Sequence, residues 1–408
     1  LLMKTNNDAI NKPTVLAVGL FVSGTGFTRV FETLFTQLSK HFSIHWMGIG
    51  YKGPVTTHEH YTLYPVNAAG GDIYGAYGAA ALSSELNVKS ILLLTDFYLL
   101  KNYRRPLQPL KEKGIRLVAY VPLDGSFIDS SLIEDCLFLD ALVLYNQWAL
   151  QEVASSGEKY QLEKNVCDSK MPEMNYIYHG TDTAVFSAAA SGHKKQELKK
   201  ALFNVPDAAD SIFILNANRF NERKAIPATI TAFAKALPRF NLPAYLCLHT
   251  PGLNSITGSN LLTEIENSGC KERILLNPLG DAYCTNEELT QLYSACDIGV
   301  NTSLGEGWGM ISFEHAACGA AQLVPDHTAP SDLWKDAGIL IPTLKSIQLN
   351  SNPFLMYNVN TDVLATELVQ LVNDKAYLNK TAAACFVHAK KEMFSWQTIA
   401  QQWVKKLR

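Results

Sequence analysis

Short unbroken apolar runs alternate along the chain with longer stretches in which apolar positions recur every three or four residues. Thr14–Leu20, Ile44–Ile49, Ser90–Thr95, Arg116–Val121 and Asp140–Tyr145 are runs of the first kind, rich in Leu, Ile and Val. Such runs predict strands buried on both faces of a sheet. Between them, Phe27–Ser39, Ala76–Leu86 and Pro106–Lys113 predict helices. The pattern lapses near Thr181–Lys195, where Ser187-Ala-Ala-Ala-Ser-Gly gives way to a Lys-rich helix, and then restarts. Ser211–Asn216, Ala244–His249, Asp297–Thr302 and Ala321–Val324 read as strands, and Ala225–Leu237, Glu287–Ala295 and Gly309–Cys318 as helices. Alternation of this kind, met twice, predicts an α/β chain of two doubly wound parallel-sheet domains. The expected division is 1–185 and 186–385, followed by a helical segment, 386–408, interrupted near Phe394-Ser395-Trp396.

Composition narrows this picture. A chain of 408 residues with 47% hydrophobic and 18% charged residues has apolar side chain enough for two cores. A net charge of −3 argues against a phosphate-backbone binder, so no nucleic-acid partner is expected. The eight cysteines form no CxxC pair, which argues against zinc, and several sit in apolar contexts such as Leu246-Cys247-Leu248. Free buried thiols suit a reducing cytoplasm. The N-terminal segment, polar after its first residues, lacks the apolar centre of a signal peptide, and no run approaches the roughly 20 apolar residues of a membrane span.

In open parallel sheets ligands gather beyond the carboxyl ends of strands, so chemistry is sought there. The richest such loop is Ser303-Leu304-Gly305-Glu306-Gly307-Trp308-Gly309-Met310, running into a helix that carries Glu314. Gly305, Gly307 and Gly309 permit tight turns and close backbone approach, and a helix start favours an anion. Glu306 and Glu314 offer acceptor oxygens to hydroxyl groups. A Gly-rich turn with one capping and one solvated Glu would leave the same trace. After the first strand of the second half, Arg219 offers a planar fork and Lys224 a point charge, a pair suited to a diphosphate or to a basic surface loop. Arg223, between them, has no role assignable from sequence.

Glu306-Gly-Trp-Gly-Met-Ile-Ser-Phe-Glu314, continued by His315-Ala-Ala-Cys-Gly319, resembles the E-x(7)-E signature of glycosyltransferase family 4. Its members are retaining enzymes of the GT-B fold, two Rossmann-like domains facing across a cleft. The likeness runs through most of the chain. Asn218–Lys224 matches the family's Arg…Lys diphosphate site. Tyr178-His179-Gly180-Thr181-Asp182 matches its N-G-V-D junction, with His179 in place of Asn and read as structural. Tyr145-Asn146-Gln147-Trp148 fits its strand-to-helix step, and Phe394-Ser395-Trp396 its segment crossing back to the first domain.

The resemblance implies a nucleoside diphosphate hexose as co-substrate, UDP- or GDP-linked, and a glycan or glycoconjugate acceptor, with no metal and no other cofactor required. Glu314 would hold the ribose, Glu306 the sugar, and Arg219 and Lys224 the departing diphosphate. Gly307, Trp308, Gly309 and Met310 would complete the donor site, together with Gly24 and Gly26 of the Ser23–Arg29 loop. A purely structural tight turn would equally account for Gly24 and Gly26; the loop has GxG but places Arg29 where a dinucleotide fingerprint needs a small residue, so it lacks the complete fingerprint an oxidoreductase would require. Asp124, in Val121-Pro-Leu-Asp-Gly125, stands where many members carry His; it is a catalytic and acceptor-side candidate, or a turn residue. Asp96 is a second acceptor-side candidate. The Val324–Asp332 segment departs from the family by lacking its Gly-Gly and following Glu. Lys101–Arg105 adds positive charge suited to peripheral membrane contact or an anionic acceptor, or forms a solvated turn. Two alternatives stay open: a catalytically silent nucleotide-sugar-binding subunit, and a GT-B nucleotide-sugar epimerase.

Overall fold

The computed structural model describes residues 12–165, 170–187, 192–350 and 352–408. Cys167, the N-terminal Leu1–Asp8 segment and most of the Ser187–Gly192 stretch lie outside the described residues.

The first unit contains β1 (Thr14–Leu20), β2 (Ser43–Ile49), β3 (Thr56–Thr57), β4 (Thr62–Pro65), β5 (Ser90–Leu94), β6 (Arg116–Val121), β7 (Ser126–Phe127), β8 (Ala141–Leu144) and β9 (Glu173–Tyr176). All but β7 join one sheet in the order β3-β4-β2-β1-β5-β6-β8-β9, parallel except for the β3–β4 pair. The second unit holds β10 (Ile212–Asn216), β11 (Ala244–Leu248), β12 (Ile274–Leu276), β13 (Ile298–Val300), β14 (Ala321–Pro325) and β15 (Ile339–Ile341). These form a wholly parallel sheet in the order β12-β11-β10-β13-β14-β15. Strands β5, β8, β11 and β14 are buried at every residue, as layers of helix on both faces require.

Each sheet reverses its winding at one place, between β1 and β5 in the first and between β10 and β13 in the second. At such a point the two following loops diverge and leave a crevice. The two crevices face each other.

A third, small sheet was not legible in the apolar pattern. β16 (Thr343–Gln348) and β17 (Phe354–Val359) form an antiparallel hairpin, and β17 also pairs with β7 of the first unit, Phe354 opposite Phe127 and Leu355 opposite Ser126. The stretch expected as one helix at Pro106–Lys113 is the end of an α-helix, Lys101–Leu107, and a 3-10 segment, Gln108–Lys113. Pro106 and Pro109 withhold the N–H groups that a continuous α-helix would need there.

The terminal helix, Trp396–Leu407, buries Ile399, Ala400, Trp403 and Leu407 along one face. It lies on the first unit: Trp403 meets Tyr120 edge-on at 4.8 Å and Ser90 Oγ donates to the Leu407 carbonyl at 2.9 Å. Lys406 pairs with Glu173 at 2.6 Å. The seven described cysteines are free, and all but Cys284 are buried. No described helix is long and apolar enough to cross a membrane.

Candidate functional site

The loops that leave β1, β5, β6, β10 and β13 enclose a cleft of about 810 Å³ between the two units. Of the sequence-predicted residues, Gly24, Gly26, Asp96, Asp124, Arg219, Lys224, Glu306, Gly307, Trp308, Gly309 and Met310 line it; Glu314 does not.

A buried polar chain fixes the two loops of the second unit. Asn216 Nδ2 donates to Thr229 Oγ1 at 2.8 Å, and Thr229 bonds Thr302 at 2.9 Å. Asn216 Oδ1 accepts from the Asn218 backbone and side chain, which sets the course toward Arg219. Asn221 then caps the short turn that carries Arg223 and Lys224. Lys224 Nζ lies 2.5 Å from Glu306 Oε2, and Arg223 donates to the Gly305 carbonyl at 2.6 Å. Burial opposes the charge on Glu306, but Lys224 and Arg223 outweigh it and hold the carboxyl below its ordinary range. Glu306 is therefore an acceptor only, able to take hydrogen bonds from hydroxyls. Its backbone is gripped by the Val324–Asp332 segment: its N–H donates to Thr328 Oγ1 and its carbonyl accepts from Ala329.

Arg219 is the most open cation of the wall. Its guanidinium donates to the Gly24 carbonyl at 3.1 Å and lies 5.7 Å from the centre of the Tyr283 ring. Gly24 takes a φ of +74°, and a side chain there would run into Tyr283. Gly26 opens the helix Gly26–Leu38 beside the Met310 sulfur, and Thr25 caps that helix. Gly309, with φ +88°, turns the chain into the helix Met310–Ala317. Trp308 stacks on Phe313 with ring centres 4.8 Å apart, and its buried indole N–H has no partner among the described residues.

Across the cleft the first unit presents acids and aromatics. Burial raises Asp124, and Arg223, 3.5 Å away, counters part of the rise. Asp96 is pushed up to about 6 by burial and by the nearby Asp124 charge. The Tyr145 hydroxyl is buried and unpartnered among the described residues. His179 packs on Tyr145, with ring centres 3.9 Å apart, and its Nδ1 lies 2.6 Å from the Tyr120 hydroxyl. Burial drives its pKa down to about 3, so the imidazole is neutral. The units touch directly here: Asn146 Nδ2 donates to the Gly307 carbonyl at 2.9 Å, and a side chain at Gly305 would collide with the Asp124 carbonyl.

Glu314 sits behind the wall. Its Oε1 is 2.5 Å from Arg29 and its Oε2 accepts from the Tyr293 hydroxyl at 3.4 Å. The sequence does not mark Arg29, Arg223 or Tyr145 as site residues: Arg29 and Arg223 are placed by ion pairs across the seam, with Glu314 and Asp124, and Tyr145 by packing on Tyr120 and His179 within the first unit. Lys101, Arg104 and Arg105 are exposed and lie outside the cleft lining. Among the described residues no group of three or more His, Cys, Asp or Glu is placed to hold a metal ion.

No protein-family model matches the chain. Over 164 residues, 39% of this chain, it is 30% identical to the serotype-specific mannosyltransferase WbdA of Escherichia coli, and the match spans 18% of that protein's length. Similar solved structures include a sucrose-phosphate synthase from Thermosynechococcus elongatus, with TM-score 0.71 and 16% identity over 97% of this chain and 98% of that one. Anabaena HepE in complex with UDP and glucose has TM-score 0.69 and 14% identity over 97% and 99% of the two chains. An α,α-trehalose 6-phosphate synthase from Burkholderia multivorans has TM-score 0.69 and 12% identity over 97% and 96%. These are GT-B structures, and this chain has the same two-domain GT-B fold.

Proposed function

We propose that this chain is a nucleotide-sugar-dependent glycosyltransferase that moves a hexose from a UDP- or GDP-linked donor to a glycan or glycoconjugate with retention of configuration. The observation that carries the reading is the convergence, at the switch point of the second sheet where it faces the first, of Arg219, Lys224 and a helix start around an ionised Glu306. The likeness to a mannosyltransferase and to a structure holding UDP and glucose supports it.

In this reading the donor diphosphate lies against Arg219, Lys224 and the backbone N–H groups at Met310 and Ile311. Those groups stabilise the negative charge that builds on the diphosphate as its bond to the anomeric carbon breaks. The positive charge comes from side chains, and no metal ion is required. Glu306 accepts hydrogen bonds from sugar hydroxyls. The acceptor enters along the Asp96–Asp124 wall, and its hydroxyl oxygen bonds the anomeric carbon on the face the diphosphate leaves. The hydroxyl proton passes to the departing diphosphate oxygen, which accounts for retention without a covalent sugar–enzyme bond. A reaction in the cytoplasm fits the free thiols.

The test is a thermal-shift panel of UDP, GDP, ADP and their hexose conjugates on the wild type and Arg219→Ala. A ligand at 100 times its Kd should stabilise the wild type by about 2.7 kcal/mol. The reading expects a shift from one nucleotide series that shrinks in the variant. No shift from any series would overturn it.

A further inference from the structure

The charged groups that the first unit contributes to the cleft lining are Arg29, Glu32, Asp96 and Asp124. Arg29 is paired with Glu314, so the rest of this wall is acidic. Asp96 follows β5 and Asp124 follows β6, close enough for the Asp124 charge to act on Asp96. Tyr145, after β8, lines the same wall; it is 2% exposed, and its hydroxyl has no partner among the described residues. Burial, reinforced by Tyr120, Asp96 and Asp124, holds that hydroxyl protonated. It can give and take a hydrogen bond, beside two carboxylates that when ionised only take them. Such a set matches the hydroxyls of a sugar. The charges of Glu306 and Lys224 reach Asp124, so the wall borders the place given to the donor sugar. Each cation of the second unit in the lining already has a task. Lys224 pairs with Glu306, Arg223 with Asp124 and the Gly305 carbonyl, and Arg219 stands open for the diphosphate. Lys101, Arg104 and Arg105 are exposed and outside the lining. A second anion would therefore meet carboxylates and, among the described lining residues, no unassigned cation.

We propose that the acceptor end received here is an uncharged sugar, and that Asp96, Asp124 and Tyr145 form the subsite that takes its hydroxyls and rejects phosphorylated, sulfated or carboxylated acceptors. The inference rests on the nucleotide-sugar reading above and narrows its acceptor. The transfer is unchanged: an acceptor hydroxyl oxygen bonds the anomeric carbon, the bond from that carbon to the diphosphate breaks, and the proton leaves on the diphosphate. Repulsion between like charges in contact at a partly buried site is strong enough to discriminate by about tenfold or more.

Transfer assays on the full chain test this, with whichever UDP- or GDP-hexose the wild type turns over. The acceptors are methyl glycosides and disaccharides of glucose, galactose, mannose and N-acetylglucosamine. Each is used unmodified, sulfated at O3 or O6, and methylated at the same position, which separates charge from the loss of a hydroxyl. The proteins are wild type, Asp96→Asn, Asp96→Lys and Tyr145→Phe. For wild type, kcat/KM for the methyl ether should exceed that for the sulfate by about tenfold or more. Asp96→Asn should reduce this ratio and Asp96→Lys should bring it to unity or invert it, which exclusion by size alone would not do. Tyr145→Phe should raise KM for the neutral acceptor by about five- to tenfold, the scale of one hydrogen bond. Should Asp96→Lys fail to fold, Asp96→Asn carries the comparison. Sulfates used by wild type as well as the ethers, or a ratio that neither Asp96 variant moves, would overturn the inference. So would a wild type that passes its sugar to water and to none of the neutral acceptors. A wild type that turns over no donor would remove the nucleotide-sugar reading itself.

Discussion

Lys224 Nζ and Glu306 Oε2 lie 2.5 Å apart at the point where the second sheet reverses its winding, one on the loop after β10 and the other on the loop after β13. Both side chains are nearly buried, at 13% and 10% exposure. The pair joins the cation suited to a diphosphate to the carboxylate suited to a sugar, and the donor proposed above would share both.

Breaking that pair from one side leaves a buried charge without its counter-charge. Lys224→Met should lower stability by about 3–5 kcal/mol, whereas Lys224→Met/Glu306→Leu should recover much of the loss. Urea denaturation of the three proteins checks this. Both variants should have lost donor turnover, by at least a hundredfold for Lys224→Met, so stability and activity part company in the double variant.

Asp96 gives the chain a pH signature. Its folded pKa of about 6 lies above the ordinary 3.8, so between those values the folded state holds more protons than the unfolded one. Its contribution to stability is therefore fully present below pH 4 and is lost as pH rises through 6. At pH 7.5 the ionised, buried group costs about 2–3 kcal/mol. Asp96→Asn should raise the melting temperature at pH 7.5, and the gain should shrink toward pH 4; a gain that does not vary with pH would contradict this assignment.

Gly305 has no space for a side chain because the Asp124 carbonyl fills it. Gly305→Ala should push the loop carrying Glu306 away from Asp124 and break the short seam at β7–β17. The expected outcome is donor turnover lowered at least tenfold while circular dichroism stays native. Wild-type turnover would show that the seam is not needed for the site.

Trp403 anchors the terminal helix against Tyr120 and is fully buried. Trp403→Ala should cost about 3–5 kcal/mol, read as a lower melting temperature.

Most strands were legible because β5, β6, β8, β11 and β14 are buried on both faces and so carry unbroken apolar runs. The β16–β17 hairpin was not. β16 is exposed at Thr343, Leu344, Lys345, Ser346 and Gln348, and β17 finds its other partner in β7 of the first domain, so neither has a local period to read. Within the site, Arg219, Lys224, Glu306 and Gly309 were legible from their place after strands. Glu314 was legible as a marked residue, but the Arg29 that occupies it comes from the far end of the chain, and no spacing rule joins the two. The long, polar Lys195 and Lys199 side chains pair with buried Asp297 at 2.8 Å each, another long-range contact that a Lys-rich helix did not announce.

On the proposed function, this cleft breaks the bond between a hexose and a nucleoside diphosphate. The most direct measurement is proton NMR of wild type and Lys224→Ala with each UDP- and GDP-hexose, following nucleotide release and the anomer of the liberated sugar. The expected result is slow release from one donor series by wild type, first appearance of the sugar in the donor's own anomeric configuration, and none of this in Lys224→Ala. Release of the opposite anomer would contradict retention, and a wild type that binds a donor yet never releases its nucleotide would contradict catalysis altogether.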